Sequence, residues 1–328
     1  MPPYALFEDA HRPHLLPLVF TRPVWHLRIG IDTLAQKWER HLGTAPARTC
    51  APSLMPLFAT ALDPNAETVF INGGILPTPE LVLAVRQDLP PGGYIHTPEG
   101  AVLAFRCPAG NVRPTELGLN APEDVPGLNT AVRFEAPVVH IRRPWDLFRL
   151  NGQVLRSDFK EITAGRRSEP VNDKYTAVYG EAQLFIEPGA KIRAAVLNAE
   201  SGPIYIGPGT DIQEGAMVHG AHAICEGAVL NMGAKLRGDS TIGPLCKVGG
   251  EVSNSILWGH SSKAHDGFLG NSVLGQWCNL GADTNTSNLK NNYGNVKVHS
   301  HATGRDEDTG LLFHGLVMGD HSKAGINT

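Results

Sequence analysis

The sequence contains little charge. Charged residues make up 18% of the 328 residues, the net charge is −4, and no basic block is present. This pattern argues against a surface for nucleic acid or for an anionic membrane. No apolar run approaches the length of a membrane span, and the start, MPPYALFEDA, lacks the basic and apolar regions of a signal peptide. We therefore expect a cytoplasmic protein whose partners include neither nucleic acid nor a membrane.

Several short motifs of ligand and metal sites are also missing. The five cysteines are odd in number and show no C-x-x-C spacing, which predicts buried thiols rather than disulfides or zinc ligands. There is no Walker A sequence and no G-x-G-x-x-G, so a glycine-rich phosphate loop is not expected. H-x-x-x-H and G-x-S-x-G are absent too, which argues against a zincin-type site and a serine hydrolase. We predict no metal-ligating residue.

The sequence does contain a repeat of six residues. A period of six fits neither an amphipathic helix nor an ordinary strand. It is the hexapeptide signature of a parallel β-helix, in which three short strands close one coil and aliphatic residues fill its interior. The fourth residue after each aliphatic position is mostly small and fits a corner of the coil. The aliphatic positions of the longest unbroken run are Ile206, Ile212, Val218, Ile224, Leu230, Leu236, Ile242 and Val248.

The repeat extends beyond this run with shifts of register. Residues 285–315 are expected to leave the coil as a long excursion, because no hexad covers them. Further interior positions are predicted at Ile186, Ile192, Ile256, Phe268, Leu274, Leu280, Met318 and Ala324.

The amino-terminal half alternates strands and helices. Tyr4–Phe7 and residues 69–71 are short apolar runs that predict buried strands, and residues 33–41 predict an amphipathic helix with Asp32 as its N-cap. This order is typical of an α/β sheet of the Rossmann-like kind, whose ligands bind at loops after the carboxyl ends of strands. Asn72 directly follows the second strand and is therefore a candidate for nucleotide binding.

We predict two domains joined by a connector. Residues 1–150 form the α/β domain, 151–183 a polar connector, and 184–328 the β-helix. A short helix that begins at Pro144 is expected to end at Asn151-Gly152, where the connector starts.

Polar residues with catalytic potential cluster in the β-helix region. Residues 258–266 contain His260, Lys263 and His265, and asparagines and a further lysine follow. A neutral histidine there could take a proton from an amine or hydroxyl nucleophile. In the amino-terminal half, Arg12, Arg22 and Arg28 could clamp phosphates, because a guanidinium binds two oxygens at once. The alternative in both regions is a solvated loop or face without a function.

The β-helix segment SSKAHDGFLGNSVLGQWCNLGADTNTSNLKNNYGNVKV resembles the acetyltransferase domain of the bifunctional UDP-N-acetylglucosamine pyrophosphorylase / glucosamine-1-phosphate N-acetyltransferase family. The resemblance implies a left-handed β-helix, a homotrimer and acetyl-CoA as co-substrate. It implies that His265 is the catalytic base, although Lys263-Ala264-His265 is one residue shorter than the family's S-K-A-G-H. The substrate-binding residues that it implies are Arg237, Lys263, Asn279, Tyr293 and Lys297.

The amino-terminal half resembles a divergent branch of the same enzymes, described as sugar nucleotidylyltransferases, through LLPLVFTRPVWHLRIGIDTLAQKWE, INGGILPTPEL and RPWDLFRLNG. It departs from the ordinary family, because the L-A-A-G-x-G-T-R-M loop is absent and Gly73-Gly74 stands where the family has a magnesium-binding aspartate. The resemblance implies transfer from UTP to a sugar 1-phosphate with Mg²⁺.

The two resemblances together imply a bifunctional transferase of UDP-N-acetylglucosamine synthesis. It would acetylate glucosamine 1-phosphate and transfer a uridylyl group to N-acetylglucosamine 1-phosphate. The alternatives are a nucleotidylyltransferase whose β-helix is structural, and a regulator that binds sugar nucleotides without catalysis.

Overall fold

The computed structural model describes residues 2–87, 89–119 and 124–328. The chain divides into two compact units, Met1–Leu27 with Thr33–Arg142, and Arg28–Asp32 with Arg143–Thr328. Within the described residues, none of the helices combines the length and the hydropathy needed to cross a bilayer.

The first unit is built on a six-stranded mixed sheet. Its strands are β1 Tyr4–Phe7, β2 Ala47–Arg48, β3 Glu67–Asn72, β4 Gly93–His96, β5 Val102–Pro108 and β6 Thr130–Arg133. The order across the sheet is β2-β1-β3-β5-β4-β6. Strand β1 pairs in parallel with β2 and β3, while β5 runs antiparallel to β3 and β4, so that β4 and β5 form a hairpin.

Three helices pack against this sheet, and apolar side chains such as Trp38 and Leu81 fill the space between them. The helices are α1 Leu34–Leu42, α2 Met55–Phe58 and α3 Pro79–Gln87. The N-cap of α1 is Thr33, and the prediction of Asp32 was wrong by one residue. The Thr33 hydroxyl accepts a hydrogen bond from the Gln36 N–H, and the Gln36 side chain accepts one from the Thr33 N–H. This capping box satisfies two N–H groups that a cap at Asp32 would leave open.

The second unit is a parallel β-solenoid of about six turns, consistent with a left-handed β-helix. Its three faces are three parallel sheets. Face 1 contains β7 Ala177–Tyr179, β10 Val196–Asn198, β13 Met217–His219, β16 Lys235–Arg237, β19 Glu251–Ser253 and β22 Phe268–Gly270. Face 2 contains β8 Leu184–Ile186, β11 Ile204–Ile206, β14 His222–Ile224, β17 Ser240–Ile242, β20 Ile256–Gly259, β23 Val273–Gln276 and β27 Val317–Met318. Face 3 contains β9 Lys191–Ile192, β12 Asp211–Ile212, β15 Val229–Leu230, β18 Lys247–Val248, β21 Ser262–Lys263, β24 Asn279–Leu280 and β28 Lys323–Ala324.

The predicted hexad interior is confirmed for the unbroken run, since all eight aliphatic residues from Ile206 to Val248 are buried in one core. After this run the prediction was wrong at two positions. Leu257 and Leu269 fill the interior, one residue after the predicted Ile256 and Phe268, because Leu257 pairs with Ile242 and Leu269 with Val252. The predicted excursion is confirmed and contains a hairpin of β25 Lys297–Ser300 and β26 Arg305–Asp308.

Small residues fit the corners of the coil, and some of them also make hydrogen bonds there. Ser240, Ser255 and Ser272 are fully buried and stand on successive coils. The Ser255 N–H donates to the Ser240 hydroxyl at 3.1 Å, and the Ser272 N–H donates to the Ser255 hydroxyl at 3.1 Å. A corner hydroxyl therefore satisfies a main-chain N–H of the next coil.

Helix α4, Pro144–Thr163, lies in the second unit and does not end at Asn151-Gly152. The Asn151 amide donates to the Asp239 carbonyl at 2.9 Å and to the Thr241 hydroxyl at 3.1 Å. At Gly152 a Cβ atom would lie 1.9 Å from Asp239 Oδ2. The two residues thus allow close packing within a continuous helix, and the predicted domain boundary at residue 150 falls inside it.

Residues 28–32 form a strap that also belongs to the second unit. The Gly30 N–H donates to Asn151 Oδ1 at 2.7 Å, and the Gly30 carbonyl accepts from the Thr241 hydroxyl at 2.8 Å. The indole N–H of Trp258 donates to the Arg28 carbonyl at 3.1 Å. Gly30 has φ +68°, which favours glycine, and a Cβ there would lie 2.3 Å from Asp158 Oδ2.

Candidate functional site

A cavity of about 300 Å³ opens in the first unit beyond the end of β1. This edge of an α/β sheet is where ligands ordinarily bind, and the volume is at the lower end for small-molecule sites. Its polar wall comes from the segment after β1, from the β4–β5 hairpin and from the end of the unit. The polar side chains that line it are Asp9, His11, Glu99 and Arg142. We name this cavity the Asp9 pocket.

Asp9 is held in place by several donors. Its Oδ1 accepts a hydrogen bond from the His11 N–H at 3.0 Å, and its Oδ2 accepts one from the Asn72 amide at 2.8 Å. The ring nitrogens His11 Nδ1 and His140 Nε2 lie 3.2 and 3.1 Å from the same Oδ2. Burial alone would raise the pKa of Asp9, but its contacts with His11 and His140 lower that pKa well below its ordinary value. Asp9 is therefore a carboxylate at neutral pH.

The side chain of His140 is buried, and its contact with Arg142 selects the tautomer of the neutral ring. The Arg142 Nε–H donates to His140 Nδ1 at 3.0 Å. A neutral imidazole that accepts at Nδ1 carries its proton at Nε2, the atom that lies 3.1 Å from Asp9 Oδ2. Although the distance to Asp9 would allow a hydrogen bond, the geometry does not make one, and Nε2 has no hydrogen-bond partner among the described residues.

Asp9, His11 and His140 form a cluster in which three possible ligand atoms lie within 4.8 Å of one another. It is the single His/Cys/Asp/Glu cluster of metal-binding geometry in the described part of the chain. One carboxylate oxygen and two imidazole nitrogens do not suit Mg²⁺, which prefers oxygen ligands and retains several waters. The cluster therefore does not fit the predicted Mg²⁺.

The residues predicted to bind nucleotide are not brought together. Asn72 is fully buried, holds Asp9 and accepts a hydrogen bond from the Gly74 N–H at 2.9 Å. The buried Arg12 donates to the carbonyls of Glu116 and Val19.

The other two predicted arginines are also engaged within the protein. Arg22 is buried beside His26 Nδ1 at 3.3 Å. Arg28 belongs to the second unit, where it donates to the Ile31 carbonyl. Nucleotide binding by the four residues stays a prediction.

The predicted acetyl-transfer residues all lie in the second unit. Lys263 occupies an interior position paired with Val248, is 2% exposed, and donates from Nζ to the His265 carbonyl at 2.5 Å. Burial lowers the pKa of Lys263, and the nearby Asp266 offsets part of this shift. The side chain of His265 is exposed. The lysine therefore fixes the backbone that carries the predicted base.

The other predicted substrate ligands are spread over the β-helix. Asn279 is exposed on face 3 and pairs with Ser262. Arg237 is on face 1, where its guanidinium contacts Glu251 at 2.5 Å. Tyr293 and Lys297 are exposed in the excursion. Their roles in binding stay predictions.

His11, His140 and Arg142 were not among the site residues predicted from the sequence. His140 and Arg142 lie about 130 residues from Asp9, and only the fold brings them together. The signal that was available is Asp9-x-His11 directly after the first strand, at the edge of the sheet where ligands bind.

Comparison with known proteins gives the family. A family model described as sugar nucleotidyl transferase matches residues 4–167, which is half of the chain. The chain belongs to the sugar nucleotidyl transferase family. The predicted resemblance is thus confirmed, and this family member is a divergent relative of GlmU.

Curated relatives cover part of this sugar nucleotidyl transferase family member. Bifunctional protein GlmU of Synechococcus elongatus is 29% identical over 154 residues, which are 44% of this chain and 30% of the relative. GlmU of a Cyanothece species is 30% identical over 154 residues, 43% of this chain and 33% of the relative. GlmU of Trichodesmium erythraeum is 34% identical over 97 residues, 29% of this chain and 17% of the relative. The matches span about a third of the relatives' length or less.

Proposed function

We propose that the Asp9 pocket transfers a nucleotidyl group from a nucleoside triphosphate to a sugar 1-phosphate, with UTP and N-acetylglucosamine 1-phosphate as the substrates that the sequence resemblance implies. The observation that carries this proposal is the position of the pocket beyond the carboxyl end of β1, in a chain of the sugar nucleotidyl transferase family. In the reaction, a phosphate oxygen of the sugar 1-phosphate attacks the α-phosphorus in line. The bond to the β-phosphate breaks and pyrophosphate leaves.

Arg142 is the group in the pocket best suited to the triphosphate. It is part of the polar wall, is half-buried, and has a guanidinium that can donate to two phosphate oxygens. His11 lines the same wall with a side chain that is 36% exposed and can add a further donor. Together they would offset the negative charge that builds up as pyrophosphate leaves.

The test is pyrophosphate release with a panel of nucleoside triphosphates and sugar 1-phosphates. Arg142→Gln should lower kcat/KM at least about tenfold, on the scale of losing one donor to a transition state. Arg133→Gln is the matched control, because Arg133 is 60% exposed, pairs with Glu135 at 2.8 Å and lies outside the pocket. Equal kcat/KM in both variants, or no pyrophosphate from the wild type with any substrate pair, would contradict the proposal.

We also propose that the β-helix acetylates an amino sugar phosphate from acetyl-CoA. The specific observation in its favour is the buried Lys263, whose ammonium holds the His265 carbonyl and so orders the loop of the predicted base. His265 would take a proton from the amine, and the nitrogen would attack the thioester carbonyl. The C–S bond would break, an amide would form, and coenzyme A would leave as a thiol.

Thiol release tests this second activity. His265→Ala should reduce it on the order of a hundredfold, the usual scale for losing a general base. His260→Ala is the matched control, since His260 lies in the same region but stacks on Trp277 at 4.3 Å between ring centroids. If the wild type releases pyrophosphate but no thiol, the β-helix is structural and the enzyme has one activity. If it releases neither but binds UDP-sugars, the protein is a regulator.

We further propose that the chain assembles as a homotrimer, as the resemblance implies. Light scattering should then give three times the mass of one chain at micromolar concentration. The mass of a single chain would contradict this assembly.

A further inference from the structure

We propose that Asp9, His11 and His140 form a binding site for a divalent transition metal ion, with Zn²⁺ as the probe. This cluster lies against the Asp9 pocket and has no part in the sequence-based prediction of Mg²⁺. The proposal does not depend on nucleotidyl transfer, since the ion can be titrated without any nucleotide.

The spacing of the three ligand atoms suits a tetrahedral ion. Bonds of about 2.0–2.1 Å to nitrogen and oxygen place neighbouring ligands of a tetrahedron roughly 3.3 Å apart. Asp9 Oδ2 lies 3.2 Å from His11 Nδ1 and 3.1 Å from His140 Nε2. Two edges of the tetrahedron are therefore nearly formed, and the third ligand pair lies within 4.8 Å.

His140 provides an independent observation. Its side chain is 5% exposed, and its Nε2 atom lies 3.1 Å from Asp9 Oδ2 but has no hydrogen-bond partner among the described residues. A buried polar atom without a partner is costly, and coordination of a metal would remove that cost. Asn72 supports the site from behind, because its amide donates to Asp9 Oδ2 at 2.8 Å and so orients the carboxylate.

The ligand chemistry selects the class of ion. Two imidazoles and one carboxylate are a common set for zinc and for other first-row transition metals. Mg²⁺ prefers oxygen and loses its waters reluctantly. The site should thus bind Zn²⁺ and leave Mg²⁺ in solution.

Arg142 competes with the ion for His140. When Nε2 binds a metal, the neutral imidazole must carry its proton on Nδ1. In this structure, Nδ1 accepts the Arg142 Nε–H at 3.0 Å. A protonated Nδ1 could not accept this hydrogen bond, because the two protons would face each other. Metal binding therefore requires Arg142 to move away, and the guanidinium charge also opposes the cation. Removing the guanidinium should strengthen binding.

The experiment is calorimetric titration of Zn²⁺ into the chelator-treated 328-residue chain, with circular dichroism of every variant. The wild type should bind one high-affinity equivalent, and Mg²⁺ should give no binding heat. Asp9→Asn and His140→Ala should weaken Zn²⁺ binding at least about a hundredfold. The matched control is the double variant His299→Ala with His301→Ala, which removes an exposed histidine pair with ring centroids 5.8 Å apart and should leave the high-affinity event unchanged.

Two further variants keep the test decisive if the buried substitutions prevent folding. His11→Ala changes a side chain that is 36% exposed and should also weaken binding at least about tenfold. Arg142→Met should tighten binding about tenfold. The proposal is overturned if the wild type binds no Zn²⁺, or if folded His11→Ala and Asp9→Asn keep the wild-type affinity. It is also overturned if the histidine pair His299 and His301 accounts for the binding.

Discussion

The buried His222 should make the β-helix sensitive to acid. It stands on β14 in the same column as Leu184 and Ile204, whose side chains fill the core. Its Nδ1 contacts the Gly220 carbonyl at 3.1 Å, and its Nε2 has no hydrogen-bond partner among the described residues. Burial lowers the pKa of His222 to about 4.

The magnitude follows from this pKa. The unfolded chain binds the proton near pH 6.5, while the folded chain resists it down to about pH 4, so the free energy of unfolding falls as the pH drops through this window. A difference of about 2.5 pKa units corresponds to about 3 kcal/mol at pH 4. Above pH 6.5 the group is neutral in both states and causes no pH dependence.

The test compares the wild type with His222→Leu in urea denaturation at pH 7 and pH 4. The substitution introduces a side chain that the column already accepts and removes the titrating group. At pH 7 it should cost about 1 kcal/mol for the lost hydrogen bond. At pH 4 the variant should be the more stable protein, and the difference between the two proteins should change by about 3 kcal/mol. Other titrating groups are present in both proteins and cancel in this comparison.

The reasoning would be refuted if the difference in unfolding free energy between the two proteins changed by less than about 1 kcal/mol from pH 7 to pH 4. His222 would then titrate alike in the folded and unfolded chains. A variant that unfolds at pH 7 would likewise show that the imidazole is needed for more than its single contact.

Two further substitutions test the packing of the second unit. Gly152→Ala should destabilise this unit by about 1–3 kcal/mol, the usual cost of overpacking, because the new Cβ would clash with Asp239. Adding Asp239→Gly should restore part of the lost stability, as measured by thermal unfolding. If the second substitution restored nothing, the strain would not come from Asp239. Lys263→Met fills the coil interior with an apolar side chain of similar length but removes the donor to the His265 carbonyl. Thiol release should fall while the melting temperature stays nearly unchanged. If activity and melting temperature fell together, Lys263 would only support the fold.

The sequence was sufficient for the β-helix because its signal is local. Each hexad contributes its own strand and turn, so the interior from Ile206 to Val248 could be read directly. The predicted interior positions were wrong by one residue at Leu257 and Leu269, where shortened coils changed the register. A local pattern cannot say how many residues a corner uses when the spacing changes.

The candidate site depended on contacts that no local pattern contains. Asp9 and His140 meet because β1 ends beside the last residues of the first unit. Helix α4 continues through Asn151-Gly152 for a similar reason. The pair resembles a helix stop, but the Asn151 amide donates to the Asp239 carbonyl, and the absence of a Cβ at Gly152 lets the Asp239 side chain pack closely. In both cases a distant partner determines what the residue does.

The strap of residues 28–32 means that no single cut of the chain separates the two units. A fragment that begins at Arg143 would lack the strap, and the Trp258 indole N–H and the Thr241 hydroxyl would lose the carbonyls of Arg28 and Gly30. A buried donor that loses its acceptor costs about 1–3 kcal/mol. Expression of the β-helix as an isolated fragment would therefore benefit from a strap peptide added in trans, and a chain nicked between residues 142 and 143 should remain associated through the strap.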